Sequence, residues 1–131
     1  PGIDKRLGWS NVPILIIVVA EILVCIGYIF VVLVFKENQF ASRIIEVVKG
    51  QKVIQSGPYR IVRHPMYLGT ILMYVSSPLA LGSYWAIIPA IFIIPILVAR
   101  IINEEKVLTK ELEGYSEYKQ KTRYRLIPGI W

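Results

Sequence analysis

Two long apolar runs dominate the chain, and polar segments carrying nearly all of the charge separate and follow them. Residues 12–35 contain one charged side chain, Glu21, and residues 67–99 contain none. Each run is long enough to enter a bilayer, whose hydrocarbon core takes about 20 apolar helical residues. The first reads as one helix over residues 12–35, with Pro13 tolerated in its first turn. The second is too long for a single straight span and is punctuated at Pro78, Gly82 and Ser83. It therefore predicts two helices joined by a tight hairpin, one over residues 65–81 and one from residue 84 past Arg100. Pro89 and Pro95 are expected to kink the later helix, where neighbouring groups can satisfy freed carbonyls. Its membrane part ends near residue 102, and its polar continuation through Leu108 is expected to stop near Gly114 as a C-terminal cap. The fold class that follows is an all-α integral membrane protein, a single domain with about three transmembrane helices.

The polar segments have their own order. Residues 1–11 form a lead-in with Trp9 placed as a headgroup-level anchor. Ile44, Ile45, Val47, Val48, Val53 and Ile54 are scattered through residues 39–56 without sustained period, which predicts a short amphipathic helix and then an extended segment. Gly57-Pro58-Tyr59 marks a turn. His64 is held extended by the proline that follows it, and Pro65 suits a first helical turn. Arg63-His64-Pro65 is thus a turn feeding a helix N-terminus, and residues 115–131 form a basic, aromatic tail.

Composition strengthens the membrane reading. Hydrophobic residues make up 55 % of the 131 positions and mean hydropathy is +0.55, more than one small soluble core can hide. The formal charge is +6, but its location matters more than its sum. Six Lys and Arg lie in residues 36–63 and seven in residues 100–125, while the connector at residues 81–83 has none. Residues 36–64 and 103–131 are therefore expected on the cytoplasmic side of the membrane, their charge serving topology and attraction to anionic headgroups rather than nucleic acid. The single cysteine, Cys25, excludes a disulfide framework and a paired-cysteine metal site, and no metal is expected. The opening Pro-Gly-Ile-Asp has neither initiator Met nor basic leader, which predicts further helices upstream. Glu21 is costly inside a span unless it faces a partner or a wet cavity. It reads as a functional candidate, as a carboxyl bonded to a neighbouring helix, or as a sign that the span edge lies nearer than the apolar run implies.

The predicted hairpin has a mechanical consequence: the start of the second helix and the end of the third return to one membrane face. Arg63-His64-Pro65 and Glu104-Glu105 become neighbours around one pocket at the cytoplasmic boundary. Arg100 and Glu104 are four apart on one helix face, so they can pair with each other or reach different ends of a ligand.

Gly57-Pro58-Tyr59, Arg63-His64-Pro65-Met66-Tyr67-Leu68-Gly69, Glu104-Glu105 and Gly114-Tyr115-Ser116-Glu117-Tyr118 follow one another in an order that resembles the isoprenylcysteine carboxyl methyltransferase and phospholipid methyltransferase superfamily. The resemblance covers residues 51–131, with the first helix fitting the preceding span. It implies S-adenosylmethionine as cofactor, held by His64, Pro65, Tyr67, Gly69, Glu104 and Glu105. It also implies that Arg100 orients the acceptor, and that Tyr118, with Tyr115, Arg123 and Arg125, belongs to a tail covering the cofactor. Carboxylate and aromatic faces suit a sulfonium and an ammonium, and a helix N-terminus suits a carboxylate. Glu104 could also take a proton from an amine acceptor, so Arg100 and Glu104 are the candidate catalytic pair. There is no Gly-rich strand-turn-helix of the soluble dinucleotide-binding kind. The expected function is methyl transfer to a lipophilic or lipid-linked substrate, most like isoprenylcysteine carboxyl O-methylation. Phospholipid amine N-methylation and thiol S-methylation are alternatives, and a non-enzymatic membrane anchor or partner-binding subunit is the rival of another class. Oligomeric state is not legible.

Overall fold

The computed structural model describes residues 1–41 and 47–131, and among these every regular element is helical. A short helix α1 (Gly2–Leu7) precedes α2 (Ile14–Glu37), which begins directly after Pro13. Its 24 residues make about 36 Å at 1.5 Å per residue. Ile and Val dominate it on all sides, and most of its large side chains face outward, among them Ile14, Ile22, Ile26 and Leu33. Only 11 % of its most apolar window is buried within the protein. A soluble core helix of this composition would be covered on every side, so its outer faces belong against lipid. Glu21 and Cys25 lie among these exposed positions.

After residues 47–56, which are not helical, a single 3-10 turn (Gly57–Arg60) leads to α3 (Pro65–Ala80). The short amphipathic helix expected in this region falls partly on residues 42–46, outside the described residues. Pro65 opens α3, where its missing N–H costs nothing. Its 16 residues make about 24 Å, shorter than a ~30 Å hydrocarbon core. Helix α3 lies mainly along α2, and Gly27 and Gly69 make the close approach possible. A Cβ on Gly69 would stand 2.7 Å from Val31 Cγ2, and one on Gly27 would stand 2.7 Å from Met73 Cγ and 3.0 Å from the Gly69 carbonyl.

Gly82, at φ 70°, reverses the chain. The expected third helix then comes in two pieces, α4 (Ile87–Ile91) and α5 (Ile93–Glu111), which together form the second stretch long and apolar enough to cross a membrane. The break has a cause in Pro95, which has no N–H to offer the Ile91 carbonyl one turn earlier. One interruption at Phe92 thus stands where two separate proline kinks were expected. Helix α5 ends at Glu111, three residues before Gly114. Gly114, at φ 84°, instead turns the chain into α6 (Tyr115–Lys121), so part of the tail is helical.

The reversal puts α1 and the hairpin at one end of the bundle. Asp4 is buried there, accepting hydrogen bonds from the hydroxyls of Ser83 and Ser10, the latter at 2.6 Å. Trp9 meets Trp85 edge-on at 6.2 Å. Burial alone would raise the Asp4 carboxyl, but the two serine hydroxyls hold it below its ordinary range.

Candidate functional site

At the other end, three remote segments meet. The N–H groups of Arg63 and His64, in the turn before α3, donate to the carbonyls of Tyr124 and Arg125 in the tail, both at 2.9 Å. Glu105, 4 % exposed on α5, closes the triangle. Its Oε1 accepts from Arg63 Nε at 2.6 Å and lies 3.1 Å from His64 Nε2, while its Oε2 accepts from Arg125 Nε at 2.8 Å. Arg63 is itself buried and donates further from Nη1 to the carbonyls of Thr122 and Arg123. A buried carboxylate with two guanidinium partners is fully compensated, and removing it would leave those cations without an anion. Arg125 also lies over the Trp131 ring, 5.1 Å from its centroid.

Beside this knot opens a cleft with a cavity volume of about 80 Å³. One part of its wall is apolar, from Val53, Ile54, Leu108 and Leu112, and another carries Arg63, His64, Tyr67 and Glu104. Tyr67 donates its hydroxyl to Glu104 Oε2 at 2.6 Å and accepts from Arg100 Nε at 2.8 Å. Arg100 and Glu104, four residues apart on α5, are therefore linked through an aromatic side chain of α3. The Tyr118 hydroxyl donates to the Tyr59 carbonyl at 2.7 Å, fastening α6 beneath the turn at residues 57–60. Asn38, just past α2, donates to the Tyr59 hydroxyl at 3.0 Å.

The residues expected from the sequence thus divide. His64, Tyr67, Glu104 and Tyr118 line the cleft. Glu105 is spent on three intramolecular partners, Pro65 is buried at the α3 start, and Gly69 faces α2. Arg100 reaches the cleft through Tyr67. Sequence reasoning gave Asn38 no role and Tyr59 only a place in the Gly57-Pro58-Tyr59 motif, since neither position carries a charge pattern to mark it as lining the cleft.

One atom bears on whether a ligand fits. Tyr115 is 4 % exposed and lines the cleft, yet its buried hydroxyl has no hydrogen-bond partner among the described residues. Burial pushes this hydroxyl and that of Tyr118 above the usual tyrosine range, so both remain protonated donors. A buried polar atom without a partner is uncommon and marks a place where a bound group can supply one. The donor set, with a carboxylate, several aromatic faces, one orphan hydroxyl and apolar walls, fits a cationic nucleoside.

The profile described as phospholipid methyltransferase matches residues 15–114, which hold α2, α3, the hairpin, α5 and both cleft-lining blocks up to Glu104. The chain belongs to the phospholipid methyltransferase family. A curated relative, Delta(14)-sterol reductase TM7SF2 of Mus musculus, is 30 % identical over 90 residues. That match takes in 66 % of this chain and 22 % of the reductase, so the chain spans about a fifth of that protein's length. As a member of the phospholipid methyltransferase family with two outward-apolar spans, the protein is integral to a membrane. The match ends at Gly114, so the orphan hydroxyl of Tyr115 and the α6 closure lie just beyond it.

Proposed function

We propose that the protein is a membrane-embedded methyltransferase that uses S-adenosylmethionine and methylates a lipophilic acceptor. The observation that carries this reading is the Glu104–Tyr67–Arg100 chain on the wall of a cleft that also holds an orphan hydroxyl. In the proposed topology α2, α3 and α4–α5 are three transmembrane helices, and the cleft opens on the cytoplasmic face of the membrane.

When bound, S-adenosylmethionine would supply an electrophilic methyl group on a cationic sulfonium. The Glu104 carboxylate and the face of Tyr67 would attract that charge and the adjoining ammonium. His64, at the start of α3, would hold the carboxylate end. Pro65 would fix that turn, Gly69 would let α3 settle on α2, and Glu105 would keep the three segments joined. Tyr118 would hold α6 under the site. Arg100, fixed by the Tyr67 hydroxyl, would orient the acceptor head. Alignment and exclusion of water can contribute on the order of 7–11 kcal/mol to barrier lowering. A carboxylate or thiolate acceptor needs no base, whereas an amine would give a proton to Glu104 as its bond to the methyl carbon forms. The acceptor chemistry most like the sequence pattern is isoprenylcysteine carboxyl O-methylation, with phospholipid amine and thiol methylation as alternatives.

The similarity to a sterol reductase supports a second reading, in which the cleft serves reduction of a lipid and takes a reduced nicotinamide nucleotide. The decisive experiment gives purified protein in lipid nanodiscs methyl-labelled S-adenosylmethionine and a lipid extract, with calorimetry of both cofactors in parallel. Label in a lipophilic product, and binding weakened by at least about tenfold, ~1.4 kcal/mol, in Glu104→Gln, are expected. Binding of the nicotinamide nucleotide alone would transfer the reading to reduction. Binding of neither would leave an anchor.

A further inference from the structure

We infer that Tyr115 recognises the nucleoside half of the ligand, its hydroxyl donating to an oxygen of the ribose. The inference rests on the methyltransferase reading and gives one residue of the covering tail a defined contact. Tyr115 and Tyr118 are neighbours on α6, with ring centroids 5.7 Å apart, and both are buried. Tyr118 satisfies its hydroxyl on the Tyr59 carbonyl, while that of Tyr115 finds no partner among the described residues. The fold can therefore accommodate a buried phenol here, and it leaves one donor unused. The Tyr115 ring packs in the apolar cluster with Leu112 and Tyr118, whereas the charges of Glu105, Arg63 and Glu104 act on its hydroxyl. Tyr115 thus bridges the apolar and the charged parts of the cleft wall. An adenosyl sulfonium has the same order along its length: a flat base, a hydroxylated sugar, then a charged amino-acid end. A neutral donor at the junction matches the sugar.

The test compares wild-type protein with Tyr115→Phe, using calorimetry with S-adenosylhomocysteine and with 5′-methylthioadenosine, which keeps the nucleoside but lacks the amino-acid end. The expected result is roughly five- to tenfold weaker binding of both ligands, the loss of one neutral hydrogen bond. The ligand-free variant is expected to melt at the same temperature or higher, because phenylalanine buries no orphan hydroxyl. A purely structural tyrosine would instead lower the melting point and leave affinity alone. Unchanged affinity, a loss confined to S-adenosylhomocysteine, or a less stable ligand-free variant would each overturn the assignment. So would a wild type that binds S-adenosylhomocysteine but not methylthioadenosine. A wild type that binds neither sinks the methyltransferase reading itself, and this assignment with it.

Discussion

The two ends of the helix bundle are each closed by a buried carboxylate, and they are built differently. At the hairpin end Asp4 is held by two neutral serine hydroxyls, joining a short lead-in to a tight turn. At the cleft end Glu105 is held by two guanidinium groups and an imidazole, joining the α3 start, α5 and the tail. The first arrangement draws one neutral partner from six residues away, Ser10, and one from 79 away, Ser83, and it closes no cleft. The second draws its partners from 20 to 42 residues away, and it fixes the walls of a cleft. An ionic knot that draws on three segments holds a binding site in shape, and a neutral hydroxyl clasp only seats a loop.

The sharpest way to break this contrast is Glu105→Gln. It leaves Arg63 buried without its anion, so unfolding free energy is expected to fall by about 3–5 kcal/mol, with loss of ligand binding. A thermal melt in detergent measures the first and calorimetry the second. A melt like that of wild type would mean that the knot does not organise this end. A smaller effect is expected of Gly69→Ala, whose new methyl would meet Val31 at 2.7 Å and push α3 off α2. Overpacking of this kind costs about 1–3 kcal/mol, and the cleft-lining face of α3 would move with it. Stability and affinity should therefore decline together, whereas a loss of stability alone would separate the helix crossing from the site.

The smallest effect is expected at the clasp. Asp4→Asn is predicted to lower the melting temperature by less than either change above and to leave ligand affinity within about twofold, ~0.4 kcal/mol, of wild type. The sign of its pH dependence follows from the depressed carboxyl. A folded-state value below the unfolded ~3.9 means that stabilisation is complete above about pH 4 and is lost as pH falls through the folded value. The difference between wild type and variant should be full at neutral pH and shrink in acid. A difference that grew in acid would contradict the hydroxyl-held carboxylate.

Much of this was legible beforehand because it depends on local pattern. Long apolar runs marked the long helices, Gly82 the reversal, and Pro65 the start of α3. The meeting of Arg63 with Glu105 followed from the hairpin alone. What escaped was set by competition between neighbouring signals. Gly114 reads as a helix cap, but α5 frays into an extended Leu112 before reaching it, and the glycine turns the chain into α6 instead. Pro89 and Pro95 each read as a kink, yet Pro89 sits in the first turn of α4, where no bond is lost, so a single break remains. Among the paired acids, nothing in Glu104-Glu105 says which faces the cleft.

By itself, then, the order of residues determined a membrane class, the reversal and the family. Those rest on length, hydropathy and turn chemistry, which act over a few neighbouring positions. Tertiary structure alone decided that Glu105 is spent on arginines while Glu104 turns to Tyr67, that Gly69 serves a helix crossing, and that the Tyr115 hydroxyl goes unanswered among the described residues. Adjacent residues on a helix point about 100° apart. Which of them meets a cation, a backbone or open space is fixed only when segments distant in sequence arrive beside it.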